Sequence, residues 1–234
     1  MRLSVIQSNY IPWIGYFELF RLSETTVILD SVQYTKNDWR NRNRIGTPQG
    51  IQWLTIPVRT AGKQSQRINE VQIMDGRWSI KHLKTIGQGL GKQPFFSNLS
   101  EDLEQTYQAA SELHGLHEVN MLFLQLFLRK LGLATKLIDD RALVPEGESA
   151  TARLVDLCKK VGATHYLSGP SALNYLEVER FTDSHITLEI LDYGQLLSKG
   201  ETLGIDPRLS IVDSYSRLGP SIRDLFLGQM RSIT

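Results

Sequence analysis

Two short runs near the start, Leu3-Ser4-Val5-Ile6 and Thr25-Thr26-Val27-Ile28-Leu29-Asp30, decide the fold. Both are strand-length, and the second is dense in β-branched residues with no charge before Asp30, the pattern of a strand covered on both faces. Between them lie a loop and an amphipathic stretch over residues 15–23 whose spacing predicts a helix. A β-loop-α-β unit with so short a crossover implies that the two strands pair in parallel.

Working outward, residues 31–50 turn polar and aromatic, with Gly46, Pro48 and Gly50 as turn formers. Residues 51–58 alternate like a strand, with Pro57 marking an edge, and residues 67–74 alternate again. These two runs are expected to form an antiparallel ribbon. The middle is helical by three-to-four spacing over residues 78–90, 99–113 and 121–131. Strands at 135–138, 165–167 and 186–191 then alternate with helices at 149–161, 171–176 and 211–218. The expectation is a single α/β domain over residues 1–234. It has a mostly parallel, Rossmann-like sheet, an antiparallel ribbon, and a helical insertion or cap at about 78–133.

The 234 residues are 41% hydrophobic, enough for a core without disulfides, and 26 Lys+Arg against 25 Asp+Glu leave a net charge of +1. That balance lacks the basic excess of a nucleic-acid binder. Cys158 is the one cysteine, which fits a reducing, cytoplasmic compartment. The first residues lack the apolar core of a signal peptide, and the apolar stretch 119–133 is interrupted by Asn120, Gln125, Arg129 and Lys130, so no membrane insertion is expected.

Four segments are candidates for chemistry. The first follows the first strand: Gln7, Asn9, Tyr10, Trp13, Gly15 and Tyr16 lie where open α/β sheets bind ligands, at a helix N-terminus suited to anions. The plainer reading is that the aromatics pack the turn. The segment is neither a Walker loop nor Gly-x-Gly-x-x-Gly, so it names no cofactor. The second is Asp30, Gln33, Lys36, Trp39, Arg40, Asn41, Arg42 and Arg44, where a strand-end carboxylate precedes cations interleaved with amides and aromatics. Arginine forks suit phosphate or carboxylate; single-stranded nucleic acid and a solvated hairpin are the other readings. Third, His82 on a helix has a side chain suited to acid–base work, or to a core. His114 and His117 stand three apart with no further ligand at metal spacing, so no metal site is expected. Fourth, Ser168, Gly169 and Ser171 form a small-residue turn from strand to helix that suits an anion, or a helix cap.

Together these segments resemble the WbqC-like protein family. The residues that carry the resemblance are Gln7, Asn9-Tyr10-Ile11-Pro12-Trp13, Gly15-Tyr16-Phe17, Asp30, Gln33-Tyr34, Lys36, Trp39 and Asn41-Arg42-Asn43-Arg44-Ile45. It continues through Trp53-Leu54-Thr55-Ile56-Pro57-Val58, Lys81-His82-Leu83, Ser168-Gly169-Pro170 and Leu209-Ser210-Ile211-Val212-Asp213. Ser8 departs from the family's usual proline, and residues 192–200 are atypical. The resemblance implies a bacterial transferase of surface-polysaccharide (O-antigen, lipopolysaccharide) biosynthesis. It would pass glycine or another acyl group to the amine of a nucleotide-linked amino sugar. Under that reading His82 or Asp30 serves as base, Lys36 and the arginines clamp a phosphate, and Trp13 or Trp39 is a stacking platform. The partners are a phosphate-bearing small molecule and an acyl-carrier or coenzyme A donor, with no nucleic acid. The opening also resembles HIGH-type nucleotidyltransferases or ATP-dependent ligases, without their histidine pair, and a non-catalytic sugar- or nucleotide-binding protein is the third reading. Asn9, Asp30, Lys36, Arg42, His82 and Ser168 are expected to converge on one cleft.

Overall fold

The computed structural model describes residues 1–63 and 65–234. β1 (Arg2–Ile6) and β2 (Thr25–Ile28) pair in parallel, Leu3 beside Thr25 through Ile6 beside Ile28, with α1 (Ile14–Leu22) as the crossover. A ribbon of β3 (Arg42–Thr47) and β4 (Gly50–Thr55) follows, then α2 (Arg77–Leu90), α3 (Ser97–Ser111) and α4 (Leu116–Leu131). The chain closes with β5 (Lys136–Asp139), α5 (Ala150–Val161), β6 (His165–Ser168), α6 (Val178–Asp183) and β7 (Thr187–Asp192). After these come α7 (Gly194–Thr202), α8 (Ile211–Leu218) and β8 (Gln229–Ser232).

The main sheet runs β5-β2-β1-β6-β7-β8, parallel throughout except for β8. Alternation sends Leu3, Val27, Tyr166 and Leu188 to one face, against Leu154 and Leu157 of α5 and Phe181 of α6. Ile6 and Ile28 go to the other, against Phe17 and Phe20 of α1 and the helical layer that includes Phe123 and Phe127 of α4. Coverage on both faces is why the strands read as continuous apolar runs. No described helix is long and apolar enough to cross a membrane.

Three details correct the sequence reading. The ribbon pairs β3 with β4 in place of residues 51–58 with 67–74. Pro48-Gln49 closes it; proline's fixed negative φ rules out a type I′ or II′ turn there, and the positive φ, +106°, falls instead on Gly50, the residue that follows. Residues 67–74 instead hold a 3₁₀ turn at Ile68–Glu70 and only isolated bridges, Val58 to Ile73 among them. Second, α1 is sheathed and not amphipathic: every residue from Ile14 to Phe20 is buried, and the Glu18 carboxylate is held by Arg21 at 2.6 Å. Third, 186–191 is not the last strand, because β8 adds an antiparallel edge.

Candidate functional site

After β1 the sheet grows toward β2 and β5 on one side and, through β6, toward β7 and β8 on the other. The loops leaving β1 and β6 therefore diverge, and a crevice opens at their carboxyl ends. It holds a cleft of about 770 Å³. One wall is Gln7, Asn9, Trp13 and Tyr16; the other is Ser168, Gly169, Ser171 and Tyr175, with Arg40, Arg153 and Tyr193 at the sides. A smaller chamber of about 320 Å³ adjoins it, lined by Pro12, Trp39, Asn43, Arg44, Leu197 and Arg208 and sharing Asn9, Trp13 and Tyr193 with the first.

The β1 loop is fixed from beneath. Asp30, 1% exposed, accepts from Ser8 N at 2.9 Å and Ser8 Oγ at 2.5 Å, and its Oδ2 is 2.7 Å from His117 Nδ1. Asn120 Nδ2 donates to Ser8 Oγ at 3.1 Å and to the Arg40 carbonyl at 2.9 Å. Burial disfavours the charged form of His117, but the hydrogen bond and charge of Asp30, with Asp139 and Glu118 adding, outweigh it, and the pKa is raised. The buried strand-end carboxylate has thus found its partners within the protein, as burial demands. A proline at position 8 has no N–H to offer Asp30, so the Ser8 amide contact belongs to this sequence.

Two further devices shape the loop. Ile11 sits at φ +37°, a conformation costly for a β-branched residue, and Asn43 Nδ2 bonds both the Tyr10 and Ile11 carbonyls, at 3.1 and 3.0 Å. Gly15 makes room for the Trp13 indole: a Cβ there would lie 2.2 Å from the ring. That indole packs on Tyr193, centroids 4.9 Å apart, at the seam of the two chambers. Tyr16 donates to the Gln7 carbonyl at 3.0 Å, and Arg40 binds the Asn9 side-chain oxygen and pairs with Asp38 at 3.4 Å.

Of the residues singled out from sequence, Gln7, Asn9, Trp13, Tyr16, Ser168, Gly169 and Ser171 line the larger chamber, and Trp39 and Arg44 the smaller. Asp30, Gly15 and Asn41 lie behind the walls; Asn41 Nδ2 ties β3 to the Ile56 carbonyl at 2.8 Å. Tyr10 and His82 belong to the core. His82 Nδ1 is 2.9 Å from Tyr10 Oη, whose other neighbour is Tyr107 Oη at 2.5 Å, and Trp78 packs edge-on against the imidazole. Burial pushes the His82 pKa down to about 4, so the ring is neutral near pH 7. Gln33, Lys36 and Arg42 line neither chamber. Arg42 lies over the Trp53 ring at 4.6 Å, and Gln33 bridges Arg67. The six residues expected in one cleft therefore separate: Asn9 and Ser168 line it, Asp30 supports it, and Lys36, Arg42 and His82 lie elsewhere.

Sequence reasoning left out Arg153, Tyr193 and Arg208, while Arg40, one of the arginines it named, lines the larger chamber. Tyr193 follows the carboxyl end of β7, the same signal that marked Gln7 and Ser168, and Arg153 opens α5. Arg208 lies in a connection with no such marker.

The WbqC-like protein family matches residues 7–224. The chain is 36% identical over 227 residues to the uncharacterized protein Rv1507c of Mycobacterium tuberculosis, covering 95% of this chain and 96% of that one. No solved structure matches. The match runs over residues 7–224, and the relative aligns over almost the whole of both chains: the chain belongs to the WbqC-like protein family.

Proposed function

We propose that the protein is a transferase of bacterial surface-polysaccharide assembly that binds a nucleotide-linked amino sugar across the β1/β6 crevice. The carrying observation is a cleft of about 770 Å³ at the reversal of strand order, with Arg40 and Arg153 at its sides and the Ser168–Ser171 turn opposite the Gln7 loop. Arg153 has no carboxylate partner among the described residues and is free to take a phosphate. Trp13, Tyr175 and Tyr193 supply faces for a base or sugar ring. Near-neutral net charge favours a small phosphate ester over a nucleic-acid backbone.

One observation favours a second reading, a binding protein without catalysis. Among the described residues no histidine or carboxylate lines either chamber, so no side chain there is an ordinary general base. Under the transferase reading, the walls bind and orient while the amine's proton leaves through solvent or the donor.

A thermal-shift panel of nucleotide-activated amino sugars tests both. A ligand at a hundredfold over its Kd stabilises by about 2.7 kcal/mol, or about 5–11 °C for a domain of this size. The sugar lacking its amine should bind and not be acylated. Binding with no acyl transfer from any donor supports the second reading; a shift with ATP alone would favour a nucleotidyltransferase; no shift with any of them rejects all three.

A further inference from the structure

The smaller chamber has a chemistry of its own. Trp13, Trp39, Tyr193, Leu197 and Pro12 make it mostly apolar, and Arg44 and Arg208 are its two charges. Arg44 is half-buried, its guanidinium 5.9 Å from the centroids of both Trp39 and Trp53, which stack on each other. Its Nε is shut off from solvent with no hydrogen-bond partner, and among the described residues no carboxylate pairs with it. Arg208 reaches Asp206 at 3.5 Å and Glu201 at 3.7 Å, contacts too long to saturate a guanidinium. A guanidinium with a buried, unbonded N–H and no counter-charge is unfavourable, and an oxyanion is the ligand that relieves it.

At about 320 Å³ the chamber is too small for a second nucleotide sugar and large enough for a compact organic molecule. Among the described residues it shares Asn9, Trp13 and Tyr193 with the larger cleft. We propose that this chamber is the subsite of a second reactant: an organic oxyanion, carboxylate or phosphate, clamped by Arg44 and Arg208, with an apolar or planar body against Trp39 and Trp13. The inference rests on the reading of the larger cleft as the nucleotide-sugar site. A short acyl carboxylate and the phosphate end of a phosphopantetheine arm share this chemistry.

The test is tryptophan-fluorescence titration with N-acetylglycine, 4′-phosphopantetheine and coenzyme A. Wild type should bind at least one saturably. Arg44→Gln and Arg208→Ala should each weaken it by about tenfold or more, as loss of a charge-assisted bond implies, with Arg44→Lys recovering part. Trp39→Phe should reduce the signal. Arg153→Ala should weaken the nucleotide sugar and leave these probes unchanged. N-acetylglycine alone assigns a carboxylate source, the pantetheine compounds a phosphate source. No saturable binding of any probe, or wild-type affinity in the Arg44→Gln/Arg208→Ala double variant, overturns the subsite. Probe binding without nucleotide-sugar binding removes the reading of the larger cleft and leaves the subsite standing. Because Arg208 is exposed, its variant keeps the test interpretable should Arg44→Gln misfold.

Discussion

Replacing Asp30 with asparagine keeps the side chain's size and removes its charge. Three donors converge on the carboxylate, Ser8 N, Ser8 Oγ and His117 Nδ1, at 2.9, 2.5 and 2.7 Å. An asparagine has one acceptor oxygen, so its amide group must face a donor, and His117 loses the counter-charge that raises its pKa. Breaking a buried, hydrogen-bonded charge pair from one side costs about 3–5 kcal/mol. For a domain of this size that is a fall in Tm of about 6–20 °C. The penalty also has a pH signature. Because the folded-state pKa of His117 is raised, its stabilising contribution is complete below the unfolded value near 6.5 and fades as pH rises through the folded value. Asp30→Asn should therefore be most destabilising below pH 6 and less so near pH 9. Urea unfolding of both proteins at the two pH values gives the gap directly. A Tm within about 2 °C of wild type, or a gap that does not narrow with pH, would refute the reasoning.

His82 should show the opposite sign. Its folded pKa is lowered to about 4, so the contribution is present above 6.5 and is lost as pH falls toward about 4; the stability slope across that window should be shallower in His82→Phe, and its absence in wild type would count against a buried neutral ring. Gly15→Ala drives a Cβ to 2.2 Å from the Trp13 indole and should displace the ring from the seam, costing about 1–3 kcal/mol and weakening ligands of both chambers in thermal-shift assays. Ser8→Pro removes both bonds to Asp30 and should lower Tm, whereas Ser8→Ala, which keeps the amide, should cost about half as much. Random single-stranded DNA and RNA should not bind at physiological salt; micromolar affinity there would revive the nucleic-acid reading of residues 36–44.

The parallel opening was legible because β-branched runs buried on both faces leave little else for the chain to do. Gln7, Asn9, Trp13 and Ser168 were legible by the rule that ligands sit beyond strand ends. The ribbon was misassigned because Arg42 and Arg44 alternate with Asn43 and Ile45, and inward-facing Asn43 does not look like a core residue until its two carbonyl partners are known. β8 was missed because Gln229-Met230-Arg231-Ser232 is exposed along its whole length and carries no periodicity. His117 was read only beside His114, three residues away, since its partner Asp30 is 87 residues distant. Short-range patterns report which face a residue takes, and say little about which distant side chain will neutralise it.

Residues 210–213 tie together the β1 loop and the ribbon, both of which line the smaller chamber. Ser210 N bonds the Arg44 carbonyl at 3.0 Å, Ile211 N bonds the Pro12 carbonyl at 2.8 Å, and Asp213 accepts from Gly46 N at 2.6 Å while pairing with Arg217 at 2.7 Å. During synthesis, then, β1 and the ribbon leave the ribosome long before the segment that clasps them together. A nascent chain can assemble β1, β2, β5, β6 and β7 while the chamber still lacks Leu197 and Arg208. A ligand of the smaller chamber therefore finds its walls complete only after Arg208 has been made.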